Sequence, residues 1–267
     1  MRNKNLLIVL SLFVVFLVVV IMGQNKFTGN APEASSVEAN TPTEDVKEVS
    51  DLKKGESLDS DLIILSSEKD KITLSTIGSS VTQGTGVAQS DIDKTWSYKL
   101  KTYISSNYDT KIKYYNDGFG GYSAHDIING GKVDELIDQK PDIIVFETGL
   151  INGFNRQTSA EAIDDVDNII AQIKKELPDA ILLVITTNPI ATEKTNGEGF
   201  TYEEYVNTID KHLKDESGFY YLNIFQGYTN ALKEQDIKLD DTLKDGIHPN
   251  VDGYKIWFDV MKNYIEN

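Results

Sequence analysis

Two segments, Ile143-Ile144-Val145-Phe146 and Ile181-Leu182-Leu183-Val184-Ile185, carry no polar residue on either face. An alternating strand can leave one face in water, but a continuous apolar run must be covered on both, which is the condition of a strand inside a parallel sheet sandwiched by helices. Around these runs, further strands are predicted at Lys71 to Ile77, Ile112 to Tyr115 and Tyr220 to Ile224, with the two apolar runs extending over Asp142 to Phe146 and Ala180 to Thr186. Amphipathic stretches between them predict helices at Thr95 to Ser106, Ala124 to Asp138, Ser159 to Glu176, Tyr202 to Ser217, Thr229 to Gln235 and Val251 to about Ile265. Leu62 to Leu65 reads as a short additional edge strand. Strands alternating with helices over residues 62–267 predict an α/β fold, a three-layer α/β/α sandwich on a mainly parallel, five-stranded sheet.

The first 61 residues belong to other classes of segment. Leu6 to Met22 is seventeen residues long, with Ser11 its only polar member and Arg2 and Lys4 in front of it. That is just long enough to cross a bilayer as a helix, and the preceding positive charges place the N-terminus in the cytoplasm. A cleaved signal peptide is the competing reading, but the run exceeds the usual apolar core and Ile21-Met22-Gly23 is a poor cleavage site. Residues 1–23 are therefore read as a transmembrane anchor. Residues 24–61, rich in Ala, Pro, Ser, Thr, Asn, Glu and Asp, lack the apolar content to offset ordering entropy and read as a disordered acidic tether. A coil of that length spans about 30–40 Å. A net charge of -16 excludes a nucleic-acid partner on electrostatic grounds, and the absence of cysteine excludes thiolate metal sites, disulfides and a cysteine nucleophile.

In parallel α/β sheets, ligands bind beyond the carboxyl ends of the strands. The segments expected there are rich in small and amide residues: Gly78-Ser79-Ser80, Asn116-Asp117-Gly118, Glu147-Thr148-Gly149 and Thr187-Asn188-Pro189. Ser80 follows a predicted strand and a glycine, but a serine hydroxyl needs a base within hydrogen-bond reach to act as a nucleophile. Of the three histidines, His125 and His212 fall on predicted surface helices, and His248 is the one with an aspartate placed to orient it. In Asp245-Gly246-Ile247-His248-Pro249-Asn250, Pro249 biases His248 away from helix, Asn250 suits a helix N-cap and Gly246 permits a bend that returns Asp245 to the imidazole. Ser, Asp and His then form the acyl-transfer triad. Donors for a developing oxyanion are the N–H of Ser80, an N–H within Gly118-Phe119-Gly120-Gly121 and the side-chain amide of Asn152.

Four blocks, Gly78-Ser79-Ser80-Val81-Thr82, Asn116-x-Gly118-x-Gly120-Gly121, Gly149-Leu150-Ile151-Asn152 and Asp245-x-x-His248-Pro249-Asn250, resemble those of the SGNH hydrolases, also called GDSL lipases and esterases. The resemblance runs from about Lys71 to Asn267. It implies a flavodoxin-like strand order, Ser80 as nucleophile, His248 as base supported by Asp245, an oxyanion hole of Ser80, Gly121 and Asn152, and chemistry without metal or cofactor. Two features depart from the family pattern. Ser79 stands where an aspartate is usual, and two residues rather than one separate Gly149 from Asn152, with Gly153 in place of the usual following aspartate.

Each block alone is more often a turn or a helix cap than a site; their order and joint presence favour catalysis. Asp164-Asp165-Val166-Asp167 lacks the glycine and terminal glutamate of a calcium loop and reads as a solvated helix face. The expectation is an extracytoplasmic serine esterase acting on small esters or an acylated, most plausibly acetylated, cell-envelope carbohydrate. A lipase or acyltransferase of the same family, or a non-catalytic envelope-binding module, is the alternative.

Overall fold

In a computed structural model of the chain, which describes Val49 and residues 52–267, the apolar segments become five strands. They are β1 (Lys71–Gly78), β2 (Lys111–Gly118), β3 (Ile143–Glu147), β4 (Ile181–Ile185) and β5 (Tyr220–Leu222). Every pairing is parallel and the order across the sheet is β2-β1-β3-β4-β5. All five residues of β3 and of β4 are buried, as their continuous apolar pattern requires.

The helices are α1 (Leu58–Glu68), α2 (Ser80–Gln83), α3 (Trp96–Asn107), α4 (Ala124–Asn129), α5 (Lys132–Asp138), α6 (Leu150–Gly153), α7 (Ser159–Glu176), α8 (Tyr202–Asp215), α9 (Ile224–Glu234) and α10 (Val251–Glu266). From β1 the chain crosses to one side to form β2, then returns past β1 to form β3, β4 and β5. Because such crossovers are right-handed, this reversal puts α3 on one face of the sheet and α4, α5, α7 and α8 on the other. The packing follows: α3 lies against β2 and α10, whereas α7 lies against α4, α5 and α8. The reversal also leaves the ends of β1 and β3 side by side as a topological switch point, where open α/β sheets form a crevice.

On the α3 and α10 face, Trp96 and Trp257 are fully buried and stacked, with centroids 5.6 Å apart and planes 6° from parallel. Each such ring system removes about 150–250 Å² from water, worth up to about 4–6 kcal/mol by area. Trp96 Nε1 donates to Val81 O at 3.1 Å, so this core also holds the short helix that begins at Ser80.

Three boundaries differ from the sequence expectation. Leu62–Leu65 is not an edge strand but the middle of α1: Ser57 Oγ accepts from the Ser60 amide as an N-cap, and Leu58 and Leu62 share a buried face at helical spacing. A four-residue apolar run cannot itself distinguish the two periods. The single helix expected over Ala124–Asp138 is interrupted by Gly130-Gly131, the latter at φ +66°. The helix expected from Thr229 begins at Ile224, because Asn223 caps it and cuts β5 short at Leu222. The anchor assigned to residues 1–23 lies outside the described residues, as does most of the 24–61 tether, whose last four residues are helical in α1. Among the described residues no helix is long and apolar enough to cross a membrane.

Candidate active site

The end of β1 runs directly into α2. A side chain at Gly78 would place its Cβ 2.4 Å from Thr82 Oγ1 and 2.7 Å from Glu147 Oε2, so only glycine allows the strand to turn here against the end of β3. Glu147 is completely buried beneath this turn. Its Oε2 accepts from the Ser79 amide and the Ser79 hydroxyl, both at 2.7 Å, and from Thr82 Oγ1 at 3.3 Å, while Oε1 accepts from the Gly149 amide at 2.8 Å. Burial pushes its carboxyl above the ordinary glutamate value, and the four donated hydrogen bonds oppose but do not cancel that effect. One carboxylate thus joins the loop that carries Ser80 to the loop that precedes Asn152. Ser80 itself, the first residue of α2, is buried to 6% exposure, and its Oγ lies 3.0 Å from His248 Nε2.

His248 comes from the loop before α10. Leu243 and Pro249 form an antiparallel bridge and the Lys244 amide donates to His248 O at 2.8 Å, which closes the loop at its base. Asn250 caps α10, accepting from the amides of Asp252 and Gly253 at 3.0 Å each. Inside the loop, Asp245 Oδ1 accepts from the amides of Ile247 (3.1 Å) and His248 (2.9 Å), and Oδ2 lies 2.8 Å from His248 Nδ1. Burial alone would raise the Asp245 pKa, but hydrogen bonds from the His248 amide, its imidazole and the Ile247 amide outweigh that and hold it below the ordinary aspartate value. An ionised carboxylate only accepts, so Nδ1 carries the proton and the Nε2 lone pair faces the Ser80 hydroxyl. The segment after β4 supports the loop from outside: Asn188 Nδ2 donates to Ile247 O at 3.0 Å and the Ala191 amide to Gly246 O at 2.8 Å.

The oxyanion candidates stand on the neighbouring loops. The amides of Ser80 and Gly121 donate to no protein acceptor among the described residues, as is required of groups that would meet a ligand oxygen. Gly121 lies at φ +81° with open space where a Cβ would be. Asn152, on α6, donates one Nδ2 hydrogen to Tyr122 O at 2.9 Å, which leaves the second free and ties α6 to the Gly121 loop. Arg156 makes a second tie, with Nε 2.6 Å from Asn152 O and Nη2 2.9 Å from Gly121 O.

Ser80, His248 and Asp245 are thus in mutual contact, and Gly121 and Asn152 share one bonded patch. The expectation that His248 alone has an aspartate partner does not hold. His212 Nε2 lies 2.8 Å from Asp167 Oδ2 and His125 Nδ1 3.3 Å from Asp165 Oδ2, because α7 presents its acidic face to both α4 and α8. What sets His248 apart is the hydroxyl on its other nitrogen. Glu147 and Arg156 were not singled out from sequence. An acidic residue ending an otherwise apolar strand, and an arginine one helical turn beyond Asn152, were the available signals.

Residues 76–256 match the GDSL-like Lipase/Acylhydrolase family. No curated protein matches the chain by sequence. Among solved structures, the chain is similar to a two-domain esterase active on acetylated mannans, at 14% identity and TM-score 0.61 over 77% of this chain; it spans only 51% of that protein. It is also similar to a variant of an acetyl-xylooligosaccharide esterase from Geobacillus Stearmophilus, at 16% identity and TM-score 0.59, covering 73% of this chain and 94% of the other. An alpha/beta hydrolase from the metagenome of Lake Arreo, Spain, is comparable, at 14% identity and TM-score 0.58 over 73% and 95% of the two chains. At these identities the likeness is one of fold.

Proposed function

The chain belongs to the GDSL-like lipase/acylhydrolase family and is a serine ester hydrolase, and from that premise we propose that it removes acetyl groups from a cell-envelope carbohydrate outside the cytoplasm, with Ser80, His248 and Asp245 as its catalytic triad. The observation that carries this reading is the unbroken line from Ser80 Oγ to His248 Nε2 (3.0 Å) and from His248 Nδ1 to Asp245 Oδ2 (2.8 Å). In it, Ser80 Oγ bonds to the ester carbonyl carbon as its proton passes to His248 Nε2, and the carbonyl π electrons move onto oxygen. That oxyanion accepts from the amides of Ser80 and Gly121 and from the free Nδ2 hydrogen of Asn152. Collapse breaks the bond to the sugar oxygen, which takes the proton from His248. Water, deprotonated by the same nitrogen, then cleaves the acyl-Ser80 ester to acetate. Asp245 keeps Nδ1 as a donor throughout and offsets the imidazolium charge.

The acetyl preference draws support from the printed activities of two of the similar structures, on acetylated mannans and acetyl-xylooligosaccharides. The address draws on the apolar run Leu6–Met22 and the acidic stretch behind it, which would hold the domain within about 30–40 Å of a membrane surface. Hydrolysis of an aryl acetate by the chain and by Ser80→Ala tests the nucleophile: activity is expected to vanish in the variant, and undiminished turnover would refute the assignment. Comparing acetyl with octanoyl esters tests the acyl group, and a strong octanoyl preference would replace the carbohydrate reading with a lipase.

A further inference from the structure

Arg156 faces the oxyanion side of the site without belonging to the triad or to its donors. Its side chain is half-exposed, yet three directional contacts fix it. Nε donates to Asn152 O at 2.6 Å, Nη2 donates to Gly121 O at 2.9 Å, and Nη2 also lies 2.9 Å from Asp126 Oδ2. Asp126 is in turn fixed at the start of α4, where Oδ2 accepts from the Ser123 amide at 2.8 Å and the Ser123 hydroxyl at 3.0 Å. Burial opposes its charge, but the Ser123 hydrogen bonds and the guanidinium overcome this and hold its carboxyl below the ordinary range.

The two carbonyls reached by Arg156 come from different parts of the sheet. Gly121 lies in the loop after β2 and Asn152 on the helix after β3, and these strands are separated by β1. Among the described residues Arg156 is the only partner of the Gly121 carbonyl. Gly121 sits at φ +81° with no Cβ to restrain it, so nothing else of comparable directionality fixes its peptide planes. A planar guanidinium presents several donors at fixed angles, and a lysine ammonium cannot reproduce that geometry.

We propose that Arg156 is a positioning residue that sets the spacing of the two outer oxyanion donors, the Gly121 amide and the Asn152 side chain, by gripping the carbonyls of both residues from behind. This rests on the triad and oxyanion reading above. Donors stabilise the oxyanion only when held where it forms, and losing one costs on the order of 10²–10³ in rate, so loosening two is expected to lower kcat by about 10–100-fold. Because the ground-state ester gains little from these donors, KM should hardly move.

The test compares wild type, Arg156→Ala, Arg156→Lys and Asp126→Asn, each as the full chain, on one aryl acetate. Turnover is referred to the sites titrated by a fluorophosphonate, so unfolded protein is not counted. The expected result is a fall in kcat at constant KM for Arg156→Ala, no recovery in Arg156→Lys, a smaller fall of the same kind in Asp126→Asn, and partial restoration of Arg156→Ala by added guanidinium ion. An unchanged kcat, a change confined to KM, or a fall that guanidinium leaves untouched would each overturn the proposal. If the wild-type chain neither turns over nor is titrated at Ser80, the functional reading fails instead, which separates the two failures.

Discussion

Gly86 lies in the loop after α2, at φ +111°, with its Cα pressed against the loop that carries His248. A Cβ built there would be 2.2 Å from Pro249 O and 3.1 Å from His248 Cβ. Gly86→Ala therefore acts in two ways. Its backbone conformation is one that L residues rarely adopt, at a cost of order 1–3 kcal/mol. In addition, Pro249 O must retreat by about 1.2 Å to reach the 3.4 Å at which ordinary contact begins. His248 precedes that carbonyl and lies 3.0 Å from Ser80 Oγ, so a shift of this size breaks the bond between base and nucleophile. A displacement of about 1 Å in a catalytic geometry costs roughly 10²-fold in rate. The strain alone would lower Tm by about 2–4 °C per kcal/mol in a domain of this size. Gly199→Ala is the matched control: φ is +82°, but nothing lies within 4 Å of the added Cβ, so it carries strain without displacement. The expected result is a Tm loss in both variants and a loss of kcat/KM on an aryl acetate, near 10²-fold, in Gly86→Ala alone. If Gly86→Ala keeps the wild-type kcat/KM while losing Tm as the control does, contact between these loops does not set the position of His248.

Two further outcomes follow from the electrostatics. Asp245→Asn keeps the shape of the loop but removes the acceptor that holds the Nδ1 proton, so kcat is expected to fall by on the order of 10³–10⁴, and steady-state kinetics retaining most of kcat would contradict Asp245's role. Ser79→Asp would set a second carboxylate against buried Glu147, whose Oε2 accepts from Ser79 Oγ at 2.7 Å. The Glu147 pKa, already raised by burial, would rise further. A raised pKa contributes stability below the ordinary value of about 4.3 that is lost as pH climbs through the folded-state pKa, so the Tm deficit of Ser79→Asp should grow from acidic to neutral pH. Thermal melts with a deficit independent of pH would argue against a like-charge pair, and Glu147→Gln in the same background should reduce it.

The sheet was legible because two of its strands are buried on both faces, which leaves Ile143–Phe146 and Ile181–Ile185 little choice of structure. The start of the domain was misread for a related reason. Leu62-Ile63-Ile64-Leu65 is just as apolar, and only Ser57, acting as a cap, and the buried Leu58 mark it as helical. Ser80, Asp245 and His248 could be named because their loops carry local signals: a glycine that forces a turn, a proline, and an asparagine cap. Glu147 and Arg156 carry no such signal. Glu147 matters because the sheet sets β3 beside β1, bringing it to Ser79 across 68 residues of sequence. Arg156 matters because two loops on either side of β1 converge on it. The aspartates beside His125 and His212 escaped notice for the same reason, since they lie on a helix remote in sequence from both.

The central claim, that Ser80 is a nucleophile activated by His248, is tested most directly by mapping the adduct formed with a fluorophosphonate. Peptide mass spectrometry should find the phosphonyl group on Ser80 in the wild-type chain, sharply slowed labelling in His248→Ala, and none in Ser80→Ala. An unlabelled Ser80 in protein that still hydrolyses an aryl acetate, or an adduct on another residue that accounts for that activity, would contradict it.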